Sequence, residues 1–116
     1  FSDVGPDDAP TRLLPGSHRD IARSLADAGD GGLTLRDLVK VIEELPPRSE
    51  VSATGPAGTV YLCHPFLVHA AQTHRGTTPR FMAQPPLLPK TEHQLQRSDG
   101  AYSAVERATR SALGVS

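Results

Sequence analysis

Eleven prolines and ten glycines divide this 116-residue chain into short segments. Both residue types disfavour the interior of long helices and strands, so each regular element must end within a few residues of such a break. Apolar runs rich in strand-forming residues lie between the breaks, at 1–4, 11–14, 49–53, 59–63, 66–70 and 80–84. We therefore expect a mainly β fold, an antiparallel jelly-roll-like barrel with helices inserted in one long connection.

Two helices are predicted in that connection, across residues 17–45. The first follows Ser17 and covers 18–28, and the second follows Thr34, whose hydroxyl can form a capping box with Asp37. The apolar positions of the second helix follow the i, i+3, i+4, i+7 rule and predict one buried stripe: Leu35, Leu38, Val39 and Ile42.

Composition and charge exclude several classes of protein. The formal net charge is −1 with both signs interspersed, which gives no basic surface for nucleic acid. The sequence shows no membrane-length apolar run and no signal peptide. Cys63 is the single cysteine and is expected to be a buried strand residue, so no internal disulfide can form and a cytoplasmic location is expected. Aromatic residues make up only 4%, which predicts a thin core and part of a larger domain.

The segment 69–80 is the most informative stretch for function. His69 ends one predicted strand, and imidazole is a common ligand for iron and zinc. Arg80 opens the next predicted strand, where an unpaired charge is costly to bury, and its planar guanidinium can bind a carboxylate through two hydrogen bonds. Each residue alone is also compatible with a structural role, His69 as a histidine near a strand end and Arg80 as an edge-strand arginine with its head in solvent.

Three further histidines are candidate metal ligands on composition alone: His18, His64 and His74. If several of them converged with His69, the chain could hold zinc as a cupin-like hydrolase does. Such ligands must all lie about 2.0–2.1 Å from one metal ion.

Read together, three pieces of the chain resemble the phytanoyl-CoA dioxygenase-like proteins. Leu14-Pro15-Gly16-Ser17-His18 is similar to the PGSH signature of that family, placed after a strand and before a helix. Residues 58–62 and then 67–69 resemble the glycine-led strand that runs to the family's last iron-binding histidine. Arg80 follows that histidine at the spacing usual for the arginine that binds 2-oxoglutarate.

The resemblance implies that residues 1–86 are the C-terminal portion of a double-stranded β-helix, a jelly-roll or cupin-like barrel, and that 87–116 form an extension with a weak helix. It also implies an Fe(II)/2-oxoglutarate-dependent dioxygenase that hydroxylates a small organic substrate, either an acyl-CoA or a secondary metabolite. His69 would be an iron ligand and Arg80 would bind 2-oxoglutarate.

The family's other two iron ligands come from a His-x-Asp pair upstream of the PGSH element, and we expect that pair to be missing from this chain. We interpret the loss as truncation and expect the isolated chain to be inactive. A half barrel would also expose strand edges and favour self-association. The missing ligands leave a second hypothesis open, a non-catalytic jelly-roll that binds a small carboxylate or a protein partner. His74 stands where the family often has Asn.

Overall fold

The computed structural model describes residues 1–115, which form a small three-stranded sheet and three helices. In chain order the elements are β1 (Thr11–Leu13), α1 (Ser17–Ala28), a 3₁₀ turn (Gly29–Gly31), α2 (Leu35–Glu43), β2 (Val51–Ala53), β3 (His69–Ala70) and α3 (Ala104–Ala112). The sheet is antiparallel in the order β2-β1-β3. Leu13 of β1 lies opposite Val51 on one side and His69 on the other.

The prediction of a mainly β fold, a partial double-stranded β-helix of the jelly-roll type, is wrong for the described residues. Their regular structure is mostly helical, and the sheet is open rather than closed into a barrel. A strand needs a neighbour that accepts and donates along its whole length. Within residues 1–115, several of the predicted strands find only isolated partners.

The segments 1–4 and 80–84 show this most clearly. Val4 forms a single bridge with Gly55, and the backbone N–H of Ser2 donates to the carbonyl of Phe81 over 3.2 Å. The predicted strand 59–63 is irregular, and Cys63, expected to be buried, is exposed. The high strand propensity of these runs is therefore not sufficient without a partner strand beside them.

Helix α2 begins as predicted and packs differently from the prediction. Thr34 and Asp37 form the expected capping box, with the backbone N–H of Asp37 donating to the Thr34 hydroxyl. The predicted burial of the apolar stripe is wrong: Leu35 is 80% exposed and Val39 47% exposed. Helical periodicity identifies which face is apolar, but burial also requires a packing partner, and residues 1–115 supply none for most of this face.

Helix α3 is the predicted C-terminal helix, and it packs against α1. Ser103 and Glu106 form its capping box, and Thr109 and Ala112 are buried. The guanidinium of Arg23 on α1 donates from Nε to the carbonyl of Ala112 over 3.0 Å, which ties the two helices together. The apolar core is small, as the composition predicts: Ala9, Ile21, Ala22 and Ala112.

None of the helices within residues 1–115 combines the length and the apolar character that crossing a membrane requires.

Candidate functional site

The site is built around the reversal that joins β1 to α1. The backbone N–H of Ser17 donates to the carbonyl of Leu14 over 3.1 Å, closing a four-residue turn with Pro15 and Gly16 at its centre. Gly16 has φ 85° and ψ −17°, the values of the third residue of a type II turn. Proline fixes the preceding φ, and glycine accepts the positive φ without strain. The PGS sequence is therefore a turn of defined geometry. Gly16 is the N-cap of α1, and the helix begins at Ser17 rather than after it, so the prediction that the helix follows a capping Ser17 is wrong.

This turn places the Ser17 side chain where it holds the segment before β3. Ser17 is fully buried, and its hydroxyl accepts a 2.9 Å hydrogen bond from the backbone N–H of Val68. At the next peptide group, which joins Val68 to His69, the backbone N–H of Leu14 donates to the carbonyl of Val68 over 3.0 Å. Val68 is thus bound through both of its backbone polar groups, and the residue that follows it is His69.

The imidazole of His69 is oriented by a contact within its own segment. Its Nδ1 lies 2.9 Å from the carbonyl oxygen of Leu67. A carbonyl oxygen can only accept, so this contact places a hydrogen on Nδ1, and in the neutral tautomer that fits it Nε2 carries the lone pair. Histidines that bind metals characteristically donate their second ring N–H to a backbone carbonyl or carboxylate in this way. The side chain of His69 is exposed, and its Nε2 is the nitrogen that this contact leaves free.

His69 lies in the wall of an open groove between the sheet and α2. The groove has a volume of about 290 Å³, and its lining is mostly apolar, with Leu13, Ile42 and Val68 beside His69. Arg12 and Glu50 contribute its charged part. They pair through two hydrogen bonds of 2.8 and 2.6 Å, which raises the pKa of Arg12 and lowers that of Glu50. Their charges are thus satisfied by each other, which leaves an apolar wall next to an imidazole.

Arg80 is half-buried and binds back onto the start of the chain. Its Nη1 donates to the carbonyl oxygen of Ala9, a buried residue with φ 51°. This is the only hydrogen bond of its guanidinium within residues 1–115, so most of its N–H donors are left for a ligand. Arg80 does not open a strand, which corrects the prediction for 80–84.

The segment between His69 and Arg80 is held by residues 7–10, the loop that precedes β1 and also binds Arg80. Gln72 donates from Nε2 to the carbonyl of Pro10 over 2.6 Å, and the backbone N–H groups of Arg75 and Gly76 both donate to the carbonyl of Asp7 over 2.8 Å. His74 contacts the carbonyl of Thr78 at 3.0 Å. His74 therefore has a local structural role in this loop, which the sequence did not reveal.

The expectation that the chain has no His-x-Asp pair is wrong, because His18-Arg19-Asp20 has this spacing. The structure shows why this pair is not a metal site. It lies in α1, where residues two apart point about 200° away from each other, whereas on a strand they share a face. Asp20 is engaged by Arg48 at 2.6 Å and by Arg23 at 3.2 Å.

Nowhere in residues 1–115 do three histidine, cysteine, aspartate or glutamate side chains come close enough to hold a metal ion together. His69 is therefore a candidate for one iron ligand only, and the described residues place no second and third ligand beside it. The zinc arrangement considered from the sequence also requires such a cluster and is not formed by these residues.

Two features of the site escaped the sequence analysis. One is the hydrogen bond from Val68 to Ser17, and the other is the pair of backbone bonds that hold segment 75–76. The PGSH signature could have indicated the hydrogen bond from Val68 to Ser17, since a small hydroxyl residue at the end of a type II turn is suited to bind a neighbouring backbone group.

Comparison with known proteins places the chain in a family. The family model described as phytanoyl-CoA dioxygenase (PhyH) matches residues 1–82 of the 116. No curated protein and no solved structure matches the chain. The matched region contains the type II turn, His69 and Arg80, and it spans well over half of the sequence. The chain therefore belongs to the phytanoyl-CoA dioxygenase family.

Proposed function

We propose that this chain contributes an iron ligand, His69, and a cosubstrate-binding residue, Arg80, to an Fe(II)/2-oxoglutarate-dependent dioxygenase. The observation that carries the proposal is the hydrogen bond from His69 Nδ1 to the Leu67 carbonyl. It leaves the Nε2 lone pair exposed, as an iron ligand requires. Membership of the family supplies the class of reaction.

Iron in such a site activates oxygen, and oxidation of 2-oxoglutarate to succinate and carbon dioxide accompanies hydroxylation of the substrate. The chain's own part is to position and to bind. His69 offers an imidazole from β3, whose position is set by Ser17 and Leu14 through Val68. Arg80 offers several N–H donors, which suit the distal carboxylate of 2-oxoglutarate through a bidentate pair.

The groove beside His69 suits a small organic substrate. Its lining is largely aliphatic, and the charged pair of Arg12 and Glu50 at its edge is internally neutralised. The aliphatic part of a substrate could therefore bind beside His69 against an apolar surface whose charged groups are already paired with each other. We propose the class of substrate on this basis, a small molecule with an apolar part.

We further propose that the 116-residue chain alone does not turn over. One imidazole binds Fe(II) weakly, and the His18-Arg19-Asp20 sequence cannot supply the remaining ligands because its side chains diverge along α1. The other two ligands of the family's iron site would come from residues outside this chain.

The test is succinate formation from 2-oxoglutarate by a protein that contains this chain together with a His-x-Asp pair on a strand. His69→Ala is expected to abolish iron binding and succinate formation together. Arg80→Ala is expected to raise the KM for 2-oxoglutarate at least tenfold while iron binding is retained, because it removes charge-assisted hydrogen bonds worth about 1.5–3 kcal/mol.

His74→Asn is the matched control, since His74 lies in the same segment and bonds to the Thr78 carbonyl. It should retain iron and activity. The proposal fails if His69→Ala retains stoichiometric iron, or if His18→Ala removes the iron as effectively as His69→Ala does.

A further inference from the structure

Three imidazoles meet where α1, the segment before β3 and the C-terminal segment come together. His18 lies on α1, His64 precedes β3, and His93 lies between β3 and α3. The ring centroids of His18 and His64 are 5.0 Å apart. The ring of Phe66 is 5.2 Å from His64 and 6.5 Å from His93, so it fills the space between these two histidines. The proposed iron site uses none of the three.

The hydrogen bonds of His64 require its neutral form. Its Nδ1 accepts a 3.1 Å hydrogen bond from the backbone N–H of Phe66, so this nitrogen carries no hydrogen. Its Nε2 lies 3.5 Å from the hydroxyl oxygen of Thr109 on α3. The hydroxyl hydrogen of Thr109 is directed at the Val105 carbonyl, 3.0 Å away, so Thr109 can only accept from His64. Both contacts are satisfied by an imidazole with its single hydrogen on Nε2.

We propose that His64 is a proton-sensitive latch that holds α3 against the segment leading to His69. Protonation would place a hydrogen on Nδ1 directly opposite the N–H of Phe66, so that two donors face each other. It would also place a positive charge beside two other imidazoles. The first change displaces the ring from the Phe66 N–H, and because Nε2 belongs to the same rigid ring, this displacement also disturbs its contact with Thr109 on α3. The second change disfavours burial of the ring between the segment of Phe66 and α3.

The net effect of the surroundings is to favour the neutral form of both His64 and His18. Burial lowers the pKa of His64 most; a hydrogen bond to the Val105 backbone is the next largest effect and raises it, and the charges of His18 and His93 lower it further. Burial also lowers the pKa of His18, as do Arg19 and Arg48, against the opposing effect of Asp20. On α3 the residue facing His64 is the uncharged Thr109.

The direction of the pH effect follows from these lowered pKa values. An imidazole that is neutral when α3 is docked and has its ordinary pKa of 6.5 when α3 is released takes up a proton on release. Docking is therefore fully stable above pH 6.5 and weakens as the pH falls below it. Each proton taken up changes the docking equilibrium by up to about tenfold per pH unit.

The capping box of α3 does not titrate in the same range. Glu106 accepts hydrogen bonds from the backbone N–H groups of Ser103 and Gln94, which lower its pKa to about 2. Loss of docking between pH 6.5 and 5 would therefore report the histidine cluster, whereas loss below pH 4.5 would report Glu106. The two origins can be separated by pH alone.

The test is hydrogen exchange of α3 in the 116-residue chain between pH 7.5 and 5, without metal and with correction for the intrinsic pH dependence of exchange. In the wild type, protection of α3 is expected to fall about tenfold or more across this range. His64→Asn keeps an acceptor for the Phe66 N–H but does not titrate, so its α3 protection should be nearly independent of pH. His74→Asn, which lies outside the cluster, should behave as wild type does.

A second measurement does not depend on the stability of the variants. Nitrogen-15 shifts of the His64 ring in the wild type should show the hydrogen on Nε2 at pH 7.5, and protonation with a midpoint below 6.5. The latch is refuted if the hydrogen is on Nδ1 or if the midpoint lies at or above 6.5. It is equally refuted if wild-type α3 protection is unchanged down to pH 5, or if His64→Asn retains the full pH dependence. Since no iron is added, these outcomes are independent of the proposed oxygenase function.

Discussion

Replacing Ser17 with Ala removes the acceptor that holds the segment in front of His69. The Ser17 hydroxyl is fully buried and receives the Val68 N–H over 2.9 Å, so the variant leaves that N–H without its partner. An unsatisfied buried donor costs about 1–3 kcal/mol. Val68 itself is half-buried, so water can reach part of the peptide group, and the cost should lie near the lower end of that range, about 1–2 kcal/mol.

This free energy should appear as faster hydrogen exchange at the Val68 amide. Since 1.4 kcal/mol corresponds to a factor of ten, the expected acceleration is roughly 5- to 30-fold. Ser24→Ala is the control for the same substitution in the same helix, because Ser24 is half-buried, whereas Ser17 is fully buried, and the Ser24 side chain makes no hydrogen bond within residues 1–115. That substitution should leave Val68 unchanged and stabilise α1 slightly through the higher helix propensity of alanine.

The reasoning is refuted if Val68 exchanges at the wild-type rate in Ser17→Ala, or if Ser24→Ala accelerates it equally. An additional readout is the His69 ring. If Ser17 acts on the position of His69 through Val68, then Ser17→Ala should also change the nitrogen-15 shift of His69 Nδ1, which bonds to the Leu67 carbonyl.

Three other predictions concern stability. Gly16→Ala forces a side chain into φ 85° and should cost about 1–2 kcal/mol in the free energy of unfolding, whereas Gly31→Ala, which has open space around it, should be nearly neutral in the same denaturation experiment. Thr34→Ala breaks the capping box of α2 and should lower its helicity, measured by circular dichroism, at a cost of about 1 kcal/mol. The capping box at Glu106, whose pKa is about 2, should persist above pH 4.5 and be lost as the pH falls through 2, as carbon-13 shifts of its carboxyl group would show.

Local features of this chain could be predicted from the sequence, because their causes lie within a few residues. The strand at Thr11–Leu13, the capping box of Thr34 and the C-terminal helix all follow from nearby side chains and turns. The barrel could not be predicted in the same way, because it depends on pairing between distant segments. The runs 59–63 and 80–84 have strand composition but no adjacent strand within residues 1–115.

The candidate site shows the same difference between what nearby residues determine and what depends on distant segments. His69 and Arg80 were selected as candidates from their residue types and from the family resemblance, and the structure adds the contacts that orient each one. The sequence His18-Arg19-Asp20 was overlooked in the expectation that the chain has no His-x-Asp pair, and it shows that spacing has chemical meaning only when the secondary structure is known. Side chains two residues apart lie on the same face of a strand but on nearly opposite faces of a helix.

The exposed apolar stripe of α2 shows a further reason why burial could not be predicted from the sequence. Leu35, Val39 and Ile42 have the correct periodicity for a buried face, yet they are 80%, 47% and 37% exposed. Amphipathicity is a property of the helix alone, whereas burial is a property of the helix and its surroundings.

The hydrogen bond between His69 and the Leu67 carbonyl joins two residues that are only two positions apart in the chain. The orientation of the ring is consequently decided by local backbone geometry, before any metal or distant segment is in place. In the proposed iron site, a ring oriented in this way would lose less conformational freedom on binding the metal ion, and the smaller entropy loss would increase affinity. The proposal therefore implies an order of assembly in which the ring is oriented first and the metal ion binds last.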